Sequence, residues 1–196
     1  MRVIGLTGNI GCGKTAVADM LRRLGAGYVD ADAVVHELLG PGTAVSAQVA
    51  RRFGQGILKP DGAVDRQALA AIVFGNARAL GALERIVHPA VTAAVDARLR
   101  AATTSVFVVE AIKLLESDLL LRCDEVWVVT CDAAQQLSRL IAWRKMRPEE
   151  ARQRIQAQPP QAEKVARADV VIDNSGDLEA TWRQVETAWQ RLLATK

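Results

Sequence analysis

Eight consecutive residues near the start of the chain, Gly8-Asn9-Ile10-Gly11-Cys12-Gly13-Lys14-Thr15, have the residue types and spacing of a complete phosphate-binding loop. Glycines let successive backbone N–H groups turn inward around an anion, and the first turn of a following helix adds its own donors and its positive end. Gly13 stands where a side chain would crowd a phosphate. Lys14 brings a point charge to the β- and γ-oxygens, and the Thr15 hydroxyl suits Mg2+. Cys12 lies at a helix N-terminus, a position that favours the thiolate and opens a redox role, while a small side chain is also simply what such a turn accommodates.

Binding a triphosphate leaves open what is done with it, and the remaining polar residues bear on that. Asp30 and Asp32 close the second strand, at the sheet edge where open α/β proteins bind ligands. Carboxylates at i and i+2 can divide two tasks, one accepting a proton from an attacking hydroxyl, the other serving a metal-bound water or its partner. The residues alone do not choose between them, and both also suit turns or helix N-caps. Glu110 ends a third strand, where it can reach Mg2+ through water or pair with Lys113. Arg139, Arg144, Arg147, Arg152 and Arg154 supply cations for the charge that develops during phosphoryl transfer. Arg139 and Arg144, five apart, cannot share one narrow helical stripe, so one is expected at the phosphates and the other framing a lid. His88, before Pro89, reads as a packed or capping residue or as a substrate contact.

The apolar pattern supplies the elements that must position these groups. Residues 2–7 form a short buried strand that feeds the loop, and the helix from Lys14 carries Val17, Met20, Leu21 and Leu24 on one face. GYVDAD follows as the next strand, a strand-helix-strand unit of a parallel sheet. Further strands are expected at 105–110, 125–130 and 169–176, with a closing amphipathic helix whose Trp182 and Trp189 share a packed face; Trp127 belongs to the core. Residues 33–102 are helical and far longer than a crossover, hence an inserted helical lobe. Residues 133–168 are helical and polar, either a mobile arginine-bearing lid or a solvated hairpin. The expected architecture is α/β, a three-layer P-loop NTPase-type fold: a core of 1–32, 103–132 and 169–196 with a five-stranded parallel sheet, a helical substrate lobe at 33–102, and a helical lid at 133–168.

Composition narrows the class. The 196 residues, half of them hydrophobic, suffice for one substantial core with an appendage. Lys and Arg number 25 against 22 Asp and Glu, and no long basic run marks a nucleic-acid footprint. No apolar run reaches bilayer length, and Cys12, Cys123 and Cys131 have neither metal-ligand rhythm nor the density of a secreted scaffold. The expectation is a cytoplasmic protein, monomeric or weakly homo-oligomeric, binding neither nucleic acid nor membrane. A regulatory GTPase lacks its Asn-Lys-x-Asp stretch here, and a motor needs more chain.

The sequence resembles the dephospho-coenzyme A kinase family over essentially its whole length. The likeness rests on LTGNIGCGKT, Asp30-Ala31-Asp32, Phe53-Gly54, Asp61-Gly62, Arg66, Leu69, Leu83-Glu84 and His88-Pro89. It continues through Leu114-Leu115-Glu116, Arg139 with Arg144, Gln158, Ala168-Asp169 and Ile172-Asp173-Asn174. The resemblance implies transfer of the γ-phosphoryl group of ATP to the ribose 3′-hydroxyl of dephospho-coenzyme A, with Gly11 to Ala16 holding ATP and Asp32 as base. Lys14 and Arg139 join Asp32 in catalysis, Arg144 and Asn174 join the nucleotide's ligands, and His88, Arg139 and Asp32 serve the acceptor. Thr15 and Glu110 are the expected Mg2+ positions. Three departures from the family pattern stand out: Asn9 after Gly8, the segment Ile112-Lys113-Leu114-Leu115-Glu116, and Lys145 after Arg144. The competing readings are a nucleoside or nucleoside monophosphate kinase and a non-enzymatic nucleotide-binding regulator.

Overall fold

The computed structural model describes residues 1–194, and the chain divides into two compact units, Met1–Val29 with residues 102 onward, and Asp30–Ala101. The first unit is built on strands β1 (Arg2–Gly8), β2 (Gly27–Asp30), β3 (Val106–Glu110), β4 (Glu125–Thr130) and β5 (Val170–Asp173) in the order β2-β3-β1-β4-β5. β1 pairs in parallel with β3, Leu6 opposite Glu110, and with β4, Gly8 opposite Val129. The strand that feeds the phosphate loop is thus central, hydrogen-bonded along both edges.

A parallel sheet covered on both faces needs strands apolar on both sides. One face carries Ile4, Leu6, Val106, Val108, Trp127, Val129 and Ile172. Helix α1 (Lys14–Arg23) packs Val17 and Leu21 on it, and the last helix of the chain, Leu178–Ala194, adds Val185, Trp189 and Leu192. Trp182 is half-buried against the same cluster, so the closing helix does present one packed tryptophan face. Leu21 has no exposed surface, and truncating such a side chain to alanine costs about 2–5 kcal/mol. The other face carries Val126 and Val128 with Leu115, Leu120 and Ala168. The segment between β3 and β4 forms two short 3-10 turns, Leu114–Glu116 and Asp118–Arg122. At the edge, β5 alternates, burying Val170 and Ile172 and exposing Val171.

The unit Asp30–Ala101 is helical: α2 (Ala31–Leu38), α3 (Ala44–Phe53), α4 (Arg66–Val73) and α5 (Ala77–Ala101). Each start is marked by a side-chain acceptor, which relieves the unpaired N–H groups of the first turn. Asp30 caps α2, Thr43 caps α3, Asp65 caps α4, and Asn76 Oδ1 accepts from Ala79 N. Val87, Val91 and Val95, four apart on α5, form the buried stripe of the helix against which α2, α3 and α4 pack.

Residues 133–168 cluster with the sheet. They form α6 (Ala133–Arg144), α7 (Pro148–Gln156) and α8 (Gln161–Val165), and the closing helix is α9.

Candidate active site

The chain leaves β1 at Gly8, turns through Gly11 (φ 79°) and Gly13 (φ 93°), and enters α1 at Lys14. A side chain at Gly13 would be strained by its backbone angle, and a methyl there would run into the Asn174 amide. α1 begins with no acidic residue in its first turn and, unlike α2, α3 and α4, with no side-chain cap. Its first-turn donors are therefore offered to an anion rather than to the protein's own carboxylates. Buried Lys14 donates from Nζ to Gly8 O at 3.0 Å, which holds the ammonium across the loop. Thr15 is exposed and Ala16 half-buried in the first turn of α1.

The outer side of the loop is held by residues from distant elements. Asn174 Nδ2 donates to Cys12 O at 2.8 Å, while its Oδ1 accepts from Thr181 Oγ1 at 2.9 Å. Arg139, on α6, donates to Asn174 O at 2.8 Å and to Cys12 O at 3.5 Å. Its guanidinium also lies over the Trp143 ring. Gln136 Nε2 donates to Ile10 O at 2.7 Å, and Ile10 N donates to Gln158 Oε1 at 2.8 Å. Asn9, the first departure from the family pattern, donates from Nδ2 to Pro159 O at 3.1 Å, a bond no glycine can make. Gln161 Oε1 accepts from Cys131 N at 3.3 Å and from Cys12 Sγ at 3.4 Å; sequence reasoning did not put Gln136 or Gln161 at the site, because a glutamine on a polar helix has no local signature.

The second departure, Ile112 to Glu116, is engaged through its main chain. Ile112 O accepts from Lys164 Nζ at 2.7 Å and from Thr7 Oγ1 at 3.1 Å, and Leu115 O accepts from Arg167 at 3.0 Å. Carbonyls make these bonds whatever the side chain, so the altered residues keep the same anchors. Lys164 is 4% exposed; burial draws its pKa down, and the charges of Glu116 and Cys12 oppose that.

The carboxylates separate by environment. Asp30 Oδ1 accepts from Asp32 N and Ala33 N at 2.8 and 3.1 Å, so Asp30 is occupied as the cap of α2. Asp32 is exposed in the first turn of that helix, two residues past the end of β2 at Asp30 rather than at the strand end where sequence reasoning put it. Glu110 is buried at the end of β3 and accepts from Tyr28 Oη at 2.7 Å. His88 is exposed on α5, and Arg144 is exposed at the C-terminal end of α6, while Arg139 is half-buried. Among the described residues no group of three or more His, Cys, Asp or Glu is placed to cage a metal ion.

A family model described as dephospho-CoA kinase matches residues 2–180. A dephospho-CoA kinase of Symbiobacterium thermophilum is 49% identical over 193 residues, covering 97% of this chain and 81% of the relative. One from Geobacter sulfurreducens is 43% identical over 97% of this chain and 98% of its own length. A crystal structure of a Thermus thermophilus protein aligns with a TM-score of 0.84 at 32% identity, covering 98% of this chain and 96% of that one. These likenesses favour the acceptor-kinase reading over the nucleoside kinase and the non-enzymatic regulator.

Proposed function

The chain belongs to the dephospho-CoA kinase family, and we propose that the residues described above divide the work of moving the γ-phosphoryl group of ATP to the ribose 3′-hydroxyl of dephospho-CoA. The observation that carries the assignment is the contrast between the two carboxylates: Asp30 is held as a helix cap, and Asp32 is left exposed. Asp32 takes the proton of the attacking hydroxyl, which raises the nucleophilicity of that oxygen as the bond to phosphorus forms. Gly11, Cys12, Gly13, Lys14, Thr15 and Ala16 wrap the phosphates with main-chain donors and one ammonium. Arg139, adjacent to Gly13, balances charge on the transferring group and meets the acceptor, as does His88. Arg144 attends the nucleotide from the lid, and Asn174 contributes by fixing Cys12 O.

The residues present fit Mg2+. That ion keeps several waters and is bound through substrate phosphates and one or two protein oxygens rather than an all-protein cage. Thr15 would hold it directly and Glu110 through water, and it would supply charge neutralisation between the β- and γ-oxygens. Residues 133–168 are the lid that excludes water as a competing acceptor. Among the described residues no helix is long and apolar enough to cross a membrane; a cytoplasmic location and a monomeric or weakly homo-oligomeric state are part of the same proposal.

The test is ADP release from Mg·ATP with dephospho-CoA, AMP, adenosine or no acceptor. Turnover is expected with dephospho-CoA alone, and Asp32→Asn is expected to lower kcat by about 10²- to 10⁴-fold with ATP affinity retained. Turnover on AMP or adenosine, or an Asp32→Asn protein of undiminished kcat, refutes the assignment.

A further inference from the structure

Two of the three cysteines meet behind the phosphate loop. Cys12 Sγ and Cys131 Sγ lie 3.0 Å apart, although 119 residues separate them in the chain. Both are buried, and both approach one amide: Gln161 Oε1 accepts from Cys12 Sγ at 3.4 Å and from Cys131 N at 3.3 Å. Cys123, the third thiol, hydrogen-bonds to Leu119 O instead. Two sulfurs already in contact need close by only about 1 Å to reach the disulfide bond length of about 2.05 Å.

We propose that Cys12 and Cys131 are an oxidisable dithiol that a hydroperoxide converts to a disulfide, switching off nucleotide binding by pulling the phosphate loop towards the end of β4. The surroundings suit the two sulfurs to different parts. The Cys131 thiol donates its hydrogen to Cys12 Sγ, and this bond, with Lys14 and Arg139, lowers the Cys12 pKa against the opposing effect of burial. The Cys12 thiolate attacks one peroxide oxygen, the O–O bond breaks, and Cys12 becomes a sulfenic acid while hydroxide leaves. Cys131 holds its proton tightly beforehand, chiefly because it donates to Cys12. Once Cys12 is a neutral sulfenic acid, the share of that restraint due to the Cys12 charge is gone, while burial still favours the Cys131 thiol. Cys131 sulfur then attacks Cys12 sulfur, the S–S bond forms, and the displaced hydroxide takes the Cys131 proton as water. With hydrogen peroxide, two thiols and one peroxide thus give one disulfide and two waters, the first hydroxide taking up the proton that the Cys12 thiol lost on ionising and the thiols losing the two electrons that the peroxide gains.

The loop has little slack to absorb the contraction. Cys12 lies between two glycines whose backbones form the phosphate cradle, and its carbonyl is held by Asn174 and Arg139. Turning even one loop N–H off a phosphate oxygen forfeits a charge-assisted hydrogen bond, a loss of about tenfold or more in affinity.

The inference rests on the nucleotide-binding role of the loop and not on the identity of the acceptor, so it is read by mass and ATP affinity. The protein is treated with stoichiometric hydrogen peroxide, alkylated, digested and mapped, and its ATP affinity is measured before and after reduction with dithiothreitol. A Cys12–Cys131 cross-linked peptide lighter by two hydrogens is expected, with Cys123 alkylated throughout and ATP binding weakened by about tenfold or more until reduction. Cys131→Ser should form no cross-link and should let dimedone trap a sulfenic acid at Cys12. Three alkylatable thiols in peroxide-treated wild-type protein overturn the proposal. So does a Cys12–Cys131 disulfide that leaves ATP affinity unchanged.

Discussion

Asn9 illustrates how a single residue that departs from a family pattern becomes intelligible through its partner: its amide reaches Pro159 O, so the loop is tied to the segment after α7. Cys123 makes a second residue-scale case. Burial first, and the neighbouring Asp124 carboxylate second, push its thiol up to about 12 from an ordinary value of 9.0. A folded-state pKa above the unfolded one means that the native state holds its proton longer, so this stabilisation is complete below about pH 9. It is lost as pH rises from there to about 12, by at most about 1.4 kcal/mol per pH unit. Urea unfolding of wild type and Cys123→Ala at pH 8 and pH 10.5 should therefore show the wild type losing more stability than the variant. Equal losses would show that the thiol titrates normally in the folded protein.

At the scale of elements, the helices declare their starts more clearly than their ends. α3, α4 and α5 open where Thr43, Asp65 and Asn76 stand, and α7 opens on Pro148. Lys145 closes α6 at φ 54°, the one positive-φ residue other than glycine among the described residues. This conformation costs an L-residue roughly 1–2 kcal/mol, which explains why the family departure at this position is a matter of backbone as well as charge. Lys145→Gly removes the clash at some entropic cost and is expected to stabilise the α6 terminus by up to about 1 kcal/mol, whereas Lys145→Val destabilises it by about 1–2 kcal/mol. Hydrogen exchange of the last-turn amides of α6 reads both, slower in the first variant and faster in the second. The same order in both variants would show that φ at 145 is not the controlling feature.

Across the whole molecule, a ligand that binds only the folded chain adds stability in proportion to its saturation. ATP with Mg2+ at a hundredfold excess over Kd should add about 2.7 kcal/mol, which for a chain of this size raises Tm by about 5–10 °C. Lys14→Ala should abolish most of that shift while leaving the unliganded Tm within a few degrees; an undiminished shift would place nucleotide binding elsewhere. The sequence by itself determined what local chemistry and periodicity determine: the loop from Gly8 to Thr15, the apolar runs that became β1, β3 and β4, the helical character of 33–102, and the pairing of Trp182 with Trp189 on one face. Apart from the family resemblance, which pointed to Asp32, its residues left Asp30 and Asp32 undistinguished, because which carboxylate is occupied depends on where β2 stops and α2 begins. The family likeness named Asn174 as a nucleotide ligand and included Gln158, but the contacts by which Asn174, Gln158 and Cys131 close around the loop across 162, 148 and 119 residues were not legible. Only the tertiary structure decided those contacts, since they exist because β1 lies beside β4 and β4 beside β5. Strand order of that kind is a property of how the sheet assembles, and no residue's neighbours in sequence encode it.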